Sequence, residues 1–215
     1  MKSLGAVLVG TERVLRLCLA LSLAGAAIPT AAATAGAQDS VRGFYSVLLQ
    51  TMQSARALGE SGRYAQLSPT VQRVFDLPFM ARLAVGPAWD GFTPAQRQQV
   101  TQAFGRYVTA TYADRFDSYS GERLEVTGER PYGGGDIVDT RIVKPGSDPV
   151  EIDYLMRQNQ GLWQVADVYL DGTISQLATQ RSEFQSILHR QGVDGLISAL
   201  NRKVDLLTRS AARSP

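Results

Sequence analysis

Apolar residues recur at three- and four-residue steps from residue 39 onward. Val41, Phe44, Tyr45, Leu48, Leu49, Met52 and Ala55 form one stripe, the pattern of a helix with a single buried face. Asp39 or Ser40 is placed to cap this helix, and Gly59 and Gly62 are placed to end it. Ser68-Pro69 reads as an N-cap followed by proline at the first helical position, opening a short helix to about Phe75. Asp76 is placed to cap a further helix carrying Phe79, Met80, Leu83 and Val85, which Gly86 stops. Thr93-Pro94-Ala95-Gln96 fits a capping box. It predicts a long helix to about Tyr119, with Val100, Phe104, Tyr107, Val108, Tyr112 and Phe116 along it.

From Glu122 the apolar period falls to two. Leu124 and Val126 alternate with charges, and Pro131 to Gly135 reads as a turn. Residues 136–144 carry Ile137, Val138, Ile142 and Val143 as a second strand. After Pro145-Gly146-Ser147-Asp148, residues Val150, Ile152, Tyr154 and Met156 alternate with Glu151, Asp153 and Arg157. Asn159-Gln160-Gly161 turns the chain again, and Leu162 to Leu170 forms a fourth strand. Consecutive strands joined by short turns predict an antiparallel four-stranded meander.

Asp171-Gly172-Thr173 breaks the sheet. Ile174, Leu177, Phe184 and Leu188 then mark a helix that Gly192 ends, and Leu196, Ile197, Leu200, Val204 and Leu207 mark the last one. Helices before and after one antiparallel sheet define an α+β fold. The expectation is a single domain over residues 38–209, with residues 210–215 fraying.

The first 37 residues read differently. Lys2, Arg13 and Arg16 supply a positive region, Leu17 to Ile28 an apolar run too short to span a bilayer, and Pro29 a break. Ala31-Ala32-Ala33 and Ala35-Gly36-Ala37 both fit the small-residue rule for signal cleavage, and the second is preferred. Residues 1–37 are thus expected to be a cleaved export signal. Removing them takes away three basic residues and one acid, leaving nineteen of each sign in a neutral mature chain. That balance offers no electrostatic footprint for nucleic acid and no basic cluster for an anionic membrane surface. The single cysteine, Cys18, leaves with the signal, which suits an oxidising compartment.

Composition narrows the chemistry further. Of 215 residues, 44% are hydrophobic and 20% charged, as in ordinary globular chains. The one histidine, His189, lies near a predicted helix C-terminus, where a partly charged imidazole is favourable without catalysis. Gly133-Gly134-Gly135 lacks the lysine and helix of a phosphate loop and reads as a hairpin turn, so no nucleotide site is visible. No cofactor and no metal set is expected. Asp167 shares an alternation phase with Trp163, Val165 and Tyr169 and so reads as buried; a buried carboxylate needs a partner. Arg181, four residues after Leu177, is the candidate partner for Asp167 or Asp171, against the alternative that it snorkels at the stripe edge. The strands carry apolar residues on both faces, which fits either a two-sided core or one wall of an apolar cavity.

The ordered series Phe75-Asp76-Leu77-Pro78-Phe79-Met80-Ala81, Gly86, Trp89, Tyr112, Arg115, Phe116, Tyr119, Thr140, Pro149-Val150, Asp153-Tyr154, Gly161, Trp163, Val165, Asp167-Val168, Gly172-Thr173-Ile174-Ser175, Arg181, Glu183-Phe184 and Gly192 resembles the MlaC family of periplasmic lipid shuttles. The resemblance covers nearly all of residues 39–207. The run from Asp167 to Ala178 is similar to the hopanoid-associated branch, HpnM. The resemblance implies a periplasmic carrier of a hopanoid or phospholipid, served by an inner-membrane lipid transporter and an outer-membrane lipoprotein complex, with no catalysis. It implies an apolar cavity between sheet and helices. Candidate lining residues are Phe79, Leu83, Val108, Tyr112, Phe116, Val138, Ile152, Tyr154, Trp163, Val165, Val168, Ile174, Leu177 and Phe184. Two other readings stand beside it: an envelope adaptor whose interior is filled by side chains, and an enzyme acting on lipid or envelope polymer through Asp167 and Asp171.

Overall fold

A computed structural model describes residues 36–208. The expected signal up to residue 35, Cys18 and the tail from residue 209 lie outside the described residues. Helices α1 (Ala37–Gln53) and α2 (Ala55–Val74) follow each other with one residue between them. Helix α1 already stops at Gln53; Gly59, at φ 59° and ψ −171°, interrupts the next helical stretch as expected, but Gly62 does not, and α2 runs on through Ser68 and Pro69. The Ser-Pro pair thus lies inside a helix instead of opening one. Helix α3 (Leu77–Val85) is capped by Asp76, whose carboxylate accepts the Phe79 N–H at 3.2 Å. Gly86 stops it at φ 72° and ψ −146°, a conformation glycine adopts at least cost, and a 3-10 turn over Gly86–Gly91 follows. Thr93 and Gln96 form the reciprocal capping box of α4 (Pro94–Arg115), which ends four residues earlier than its sequence pattern predicts.

Five strands follow in the order β1 (Arg123–Tyr132), β2 (Gly135–Val143), β3 (Val150–Asn159), β4 (Leu162–Leu170) and β5 (Ile174–Ser175), each antiparallel to its neighbour. The fold is α+β, as expected, but the sheet has five strands because Ile174 and Ser175 pair back onto Leu170 and Tyr169. Helix α5 (Gln176–Leu207) is the last described element and breaks at Gly192, φ 64°, so its two halves match the two helices predicted there.

The helices pack on one face of the sheet. Register places Leu124, Ile142 and Val150 in one inward row, Val126, Thr140, Ile152 and Leu170 in the next, and Val138, Tyr154 and Val168 in a third. The opposite face carries charged rows: Arg141 bonds Glu125 at 2.7 Å, and Arg130 lies 3.2 Å from Asp139 and 3.6 Å from Asp153. A β-bulge opposite Leu155/Met156 adds one residue, Ala166, to β4. It puts Val165 and Val168 on the same inner face and turns Asp167 away from it. Strict alternation from Trp163 through Tyr169 therefore fails at this point.

The core centres on Phe44, which is fully buried. Its ring meets Phe75, Tyr112 and Tyr154 edge-on at 5.3, 5.1 and 6.4 Å. Asp76 also receives Arg157 at 2.6 Å, and that guanidinium lies 4.2 Å from the Phe79 ring centre. The Asp76 N–H donates to the Val165 carbonyl at 2.9 Å, fixing α3 to β4.

Candidate functional site

The inward rows of the sheet do not meet the helices everywhere. Between β2, β3, β4 and helices α4 and α5 lies a cavity of about 590 Å³. Its sheet wall is Ile142, Val150, Ile152, Val168 and Leu170, and its helix wall is Phe104, Tyr107, Val108, Tyr112, Phe116 and Leu177. Met52, Phe75 and Met80 also line it. Charged lining groups are Arg115, Asp117, Glu122, Lys144 and Asp148. They sit where α4 ends and where β2 turns into β3, and so form a rim at one end. Volumes of this order are typical of sites for small organic ligands.

The helix side also brings polar groups to the hollow: Tyr107, Thr111, Tyr112, Gln176 and Gln180. Behind Tyr112 the Tyr45 and Tyr154 rings meet edge-on at 5.8 Å, and the Tyr45 hydroxyl meets the Thr140 hydroxyl at 2.6 Å. Thr140 in turn donates to the Ile152 carbonyl. Burial pushes all three phenols above their ordinary range, so they stay neutral in any physiological medium. The lining contains no histidine and no cysteine, and no cluster of three metal-ligating side chains occurs among the described residues. An uncharged apolar hollow with a charged rim can shelter the apolar part of an amphiphile while its polar end stays wet.

Six of the fourteen lining candidates face the hollow: Val108, Tyr112, Phe116, Ile152, Val168 and Leu177. Val138, Tyr154, Val165 and Phe184 belong to the packed core instead. Trp163 is half-buried at the core margin, where its carbonyl accepts the Ser40 hydroxyl at 2.9 Å. Phe79 turns to Arg157. Leu83 and Ile174 are exposed, at 40% and 52%. Phe104, Tyr107, Ile142, Val150, Leu170, Met52, Phe75 and Met80 were not among the candidates, although all sit on predicted helical or strand stripes or in the Phe75–Met80 run. Periodicity shows which face is apolar but not whether a neighbour fills the space in front of it.

The expected ion pair is replaced by a different link. Among the described residues Arg181 makes no ion pair with Asp167 or Asp171. Its guanidinium lies over Gly86, so close that a Cβ there would be 2.9 Å from Nε. Asp167 instead holds the start of α5. It accepts the Ser175 hydroxyl at 2.5 Å, the Leu177 N–H at 3.2 Å and the Val168 N–H at 2.7 Å. Ser175 completes the cap by accepting the Ala178 N–H at 2.9 Å. The carboxylate thus spans the β4–α5 junction that carries Leu177 into the cavity wall. Asp171 is exposed, with φ 49° in the turn before β5.

Burial pushes the Asp167 carboxyl above its ordinary range, and its three hydrogen bonds only partly oppose that. The folded state therefore holds this proton more tightly than the unfolded chain. The stabilisation is complete below the ordinary carboxylate range and is lost as pH rises through the folded value. Between about pH 4 and 7, Asp167→Asn, which cannot ionise, is expected to gain thermal stability relative to the wild type. Asp167→Ala, which leaves the Leu177 and Val168 N–H groups without their acceptor, is expected to lose about 1–3 kcal/mol in denaturant titration.

The fold and hollow define a cavity-bearing binding protein built from a helix layer on an antiparallel sheet. The chain belongs to the MlaC family, whose sequence model, described as MlaC protein, matches residues 44–202. A relative in Haemophilus influenzae, the intermembrane phospholipid transport system binding protein MlaC, is 24% identical over 132 residues, or 59% of this chain. The match spans 61% of that relative's length. Among solved structures, a phospholipid-binding protein from Ralstonia solanacearum in complex with a phospholipid superposes with a TM-score of 0.71. The superposition covers 80% of this chain and 99% of that one, at 22% identity.

Proposed function

We propose that this protein is an exported, non-catalytic lipid carrier that takes a phospholipid or hopanoid from an inner-membrane transporter and passes it toward the outer membrane through the periplasm. The observation that carries this reading is the apolar hollow of about 590 Å³ opening at a charged rim. Family membership, a phospholipid-transport relative and a phospholipid-bound fold neighbour support the same choice of cargo class. Energetics make the hollow useful: burying a single C16 tail yields on the order of 13 kcal/mol gross, at about 0.8 kcal/mol per CH₂. No chemistry is needed to move such a tail through water, only a wall that replaces water and a mouth that releases it.

Vesicle-to-vesicle transfer tests the reading. Donor vesicles carry a labelled phospholipid, and acceptors are separated from them by a membrane that only protein crosses. The mature protein is expected to raise transfer well above the spontaneous rate, in proportion to its concentration. Transfer at the spontaneous rate would favour an adaptor instead. Turnover of the lipid into a new product, abolished by Asp171→Asn, would favour an enzyme.

Export implies a processed start, and helix α1 bears on where it lies. Gly36 donates its N–H to the Asp39 carboxylate at 3.1 Å, and Ala37 is buried in the core. A cut after Ala37 removes both and puts a positive amine at a helix N-terminus, which opposes the helix dipole. Cleavage after Ala33 keeps them. Intact mass of the periplasmic protein is expected to match a chain starting at Thr34; a start at Gln38 would overturn this placement.

A further inference from the structure

The charged residues lining the cavity come from the end of α4, the lead-in to β1 and the β2–β3 turn; Arg115, Asp117, Lys144 and Asp148 are exposed, and the charges are not all committed to one another. Arg115 ends α4 and Asp117 follows it; Glu122 precedes β1; Lys144 follows β2; Asp148 sits in the turn before β3. Lys144 and Glu122 offset each other at 3.8 Å, and Glu122 is buried and also accepts the Ser120 N–H at 2.5 Å. Asp117 accepts the hydroxyl of its neighbour Ser118 at 3.0 Å. Arg115, Asp117 and Asp148 form no ion pair within 4.0 Å among the described residues. The rim therefore presents, among the described residues, one guanidinium and two carboxylates without an ion-pair partner beside an apolar hollow.

Charge balance then selects among headgroups. A purely anionic head would satisfy Arg115 but meet two carboxylates of its own sign. An uncharged head would leave all three groups without a partner. A head that joins a phosphate to a primary ammonium satisfies both signs at once. The guanidinium fork matches phosphate oxygens in two parallel hydrogen bonds, and a compact ammonium suits carboxylate acceptors. The two charges of such a head are linked by a short chain, and Arg115, Asp117 and Asp148 line the same cavity. We propose that this rim is a headgroup subsite for a zwitterionic phosphate–amine lipid, with Arg115 taking the phosphate and Asp117 and Asp148 taking the ammonium. The proposal rests on the lipid-carrier reading and adds to it the polar end of the cargo.

The test uses the mature protein stripped of lipid and incubated with vesicles of equal parts phosphatidylethanolamine, phosphatidylglycerol and diacylglycerol with identical acyl chains. The protein is re-isolated and its bound lipids are counted by mass spectrometry. Because the readout is a ratio between lipids on the same molecules, a partly misfolded variant does not distort it. The wild type is expected to hold the ethanolamine lipid over the glycerol lipid by about fivefold or more, the scale of one charge-assisted contact. Arg115→Gln is expected to lower both phospholipids relative to diacylglycerol. Arg115→Lys, which keeps the charge and the favourable helix-end position but loses the fork, is expected to recover part of that loss. Asp117→Asn with Asp148→Asn is expected to bring the two phospholipids within about twofold of each other. Equal capture of the two phospholipids by the wild type, a preference for the glycerol lipid, or variants that leave the ratios unchanged overturn the headgroup proposal alone. Capture of none of the three lipids overturns this proposal and the phospholipid form of the carrier reading, leaving only the hopanoid form of that reading.

Discussion

Val168→Trp is expected to cut the lipid bound per protein by at least about tenfold while leaving the fold intact. Val168 lies on the inner face of β4 opposite Tyr154, and its side chain lines the cavity. An indole at this position takes space that a lipid tail would fill, and each methylene displaced forfeits about 0.8 kcal/mol of binding. Loss of only two or three methylenes already reaches a tenfold change. In a solid core the same replacement would cost about 1–3 kcal/mol through overpacking. Here the ring has room, so stability in denaturant is expected to fall by less than about 1 kcal/mol. Val108→Trp, from the facing helix α4, is expected to behave the same way. A marked drop in stability with unchanged lipid content would show that the position is ordinary core.

Phe44→Ala is expected to have the opposite profile. Phe44 has no exposed surface and is the ring on which Phe75, Tyr112 and Tyr154 converge. Its removal leaves a hole between α1 and the sheet that rigid neighbours cannot close, at a cost of about 3–5 kcal/mol. Total stability is only about 5–15 kcal/mol for a chain of ordinary kind, so this is a large share. The melting temperature is expected to fall by roughly 6–20 °C. The Phe116 ring stacks on Tyr112 at 5.8 Å but borders the hollow, so Phe116→Ala is expected to lower lipid content more than stability. Thermal unfolding and bound-lipid measurements on the pair separate core from wall.

The contrast between these residues shows what the chain makes legible. The α+β order, the capping box at Thr93 and Gln96, the Asp76 cap and the stop at Gly86 all follow from local chemistry, and all are present. Gly59 does interrupt the helical path, as Gly192 does, but Gly62 three residues on lies within a continuing helix that buried Leu67 and Val71 hold in place. Tertiary packing outweighs propensity at Gly62 and Pro69. The β-bulge at Ala166 has no composition signal, so the phase of Asp167 could not be read by alternation. That one extra residue moved the carboxylate from an expected ion pair with Arg181 to the cap of α5. The cavity itself was legible only as a surplus of apolar faces. Phe104 and Ile142 look like core in sequence and line the hollow, while Val165 and Phe184 look the same and are packed. The rim charges of Arg115 and Asp148 carry meaning only once the end of α4 and the β2–β3 turn are brought to one mouth.

The carrier account stands or falls on whether the hollow holds a lipid in the cell. Native mass spectrometry of the protein purified without detergent from the periplasm of its own host measures this directly. The account predicts a population heavier than the bare chain by the mass of one intact lipid, lost together with the Val168→Trp side-chain change. Spectra showing only the bare chain in repeated gentle preparations, with the wild-type fold confirmed in the same samples, would contradict it.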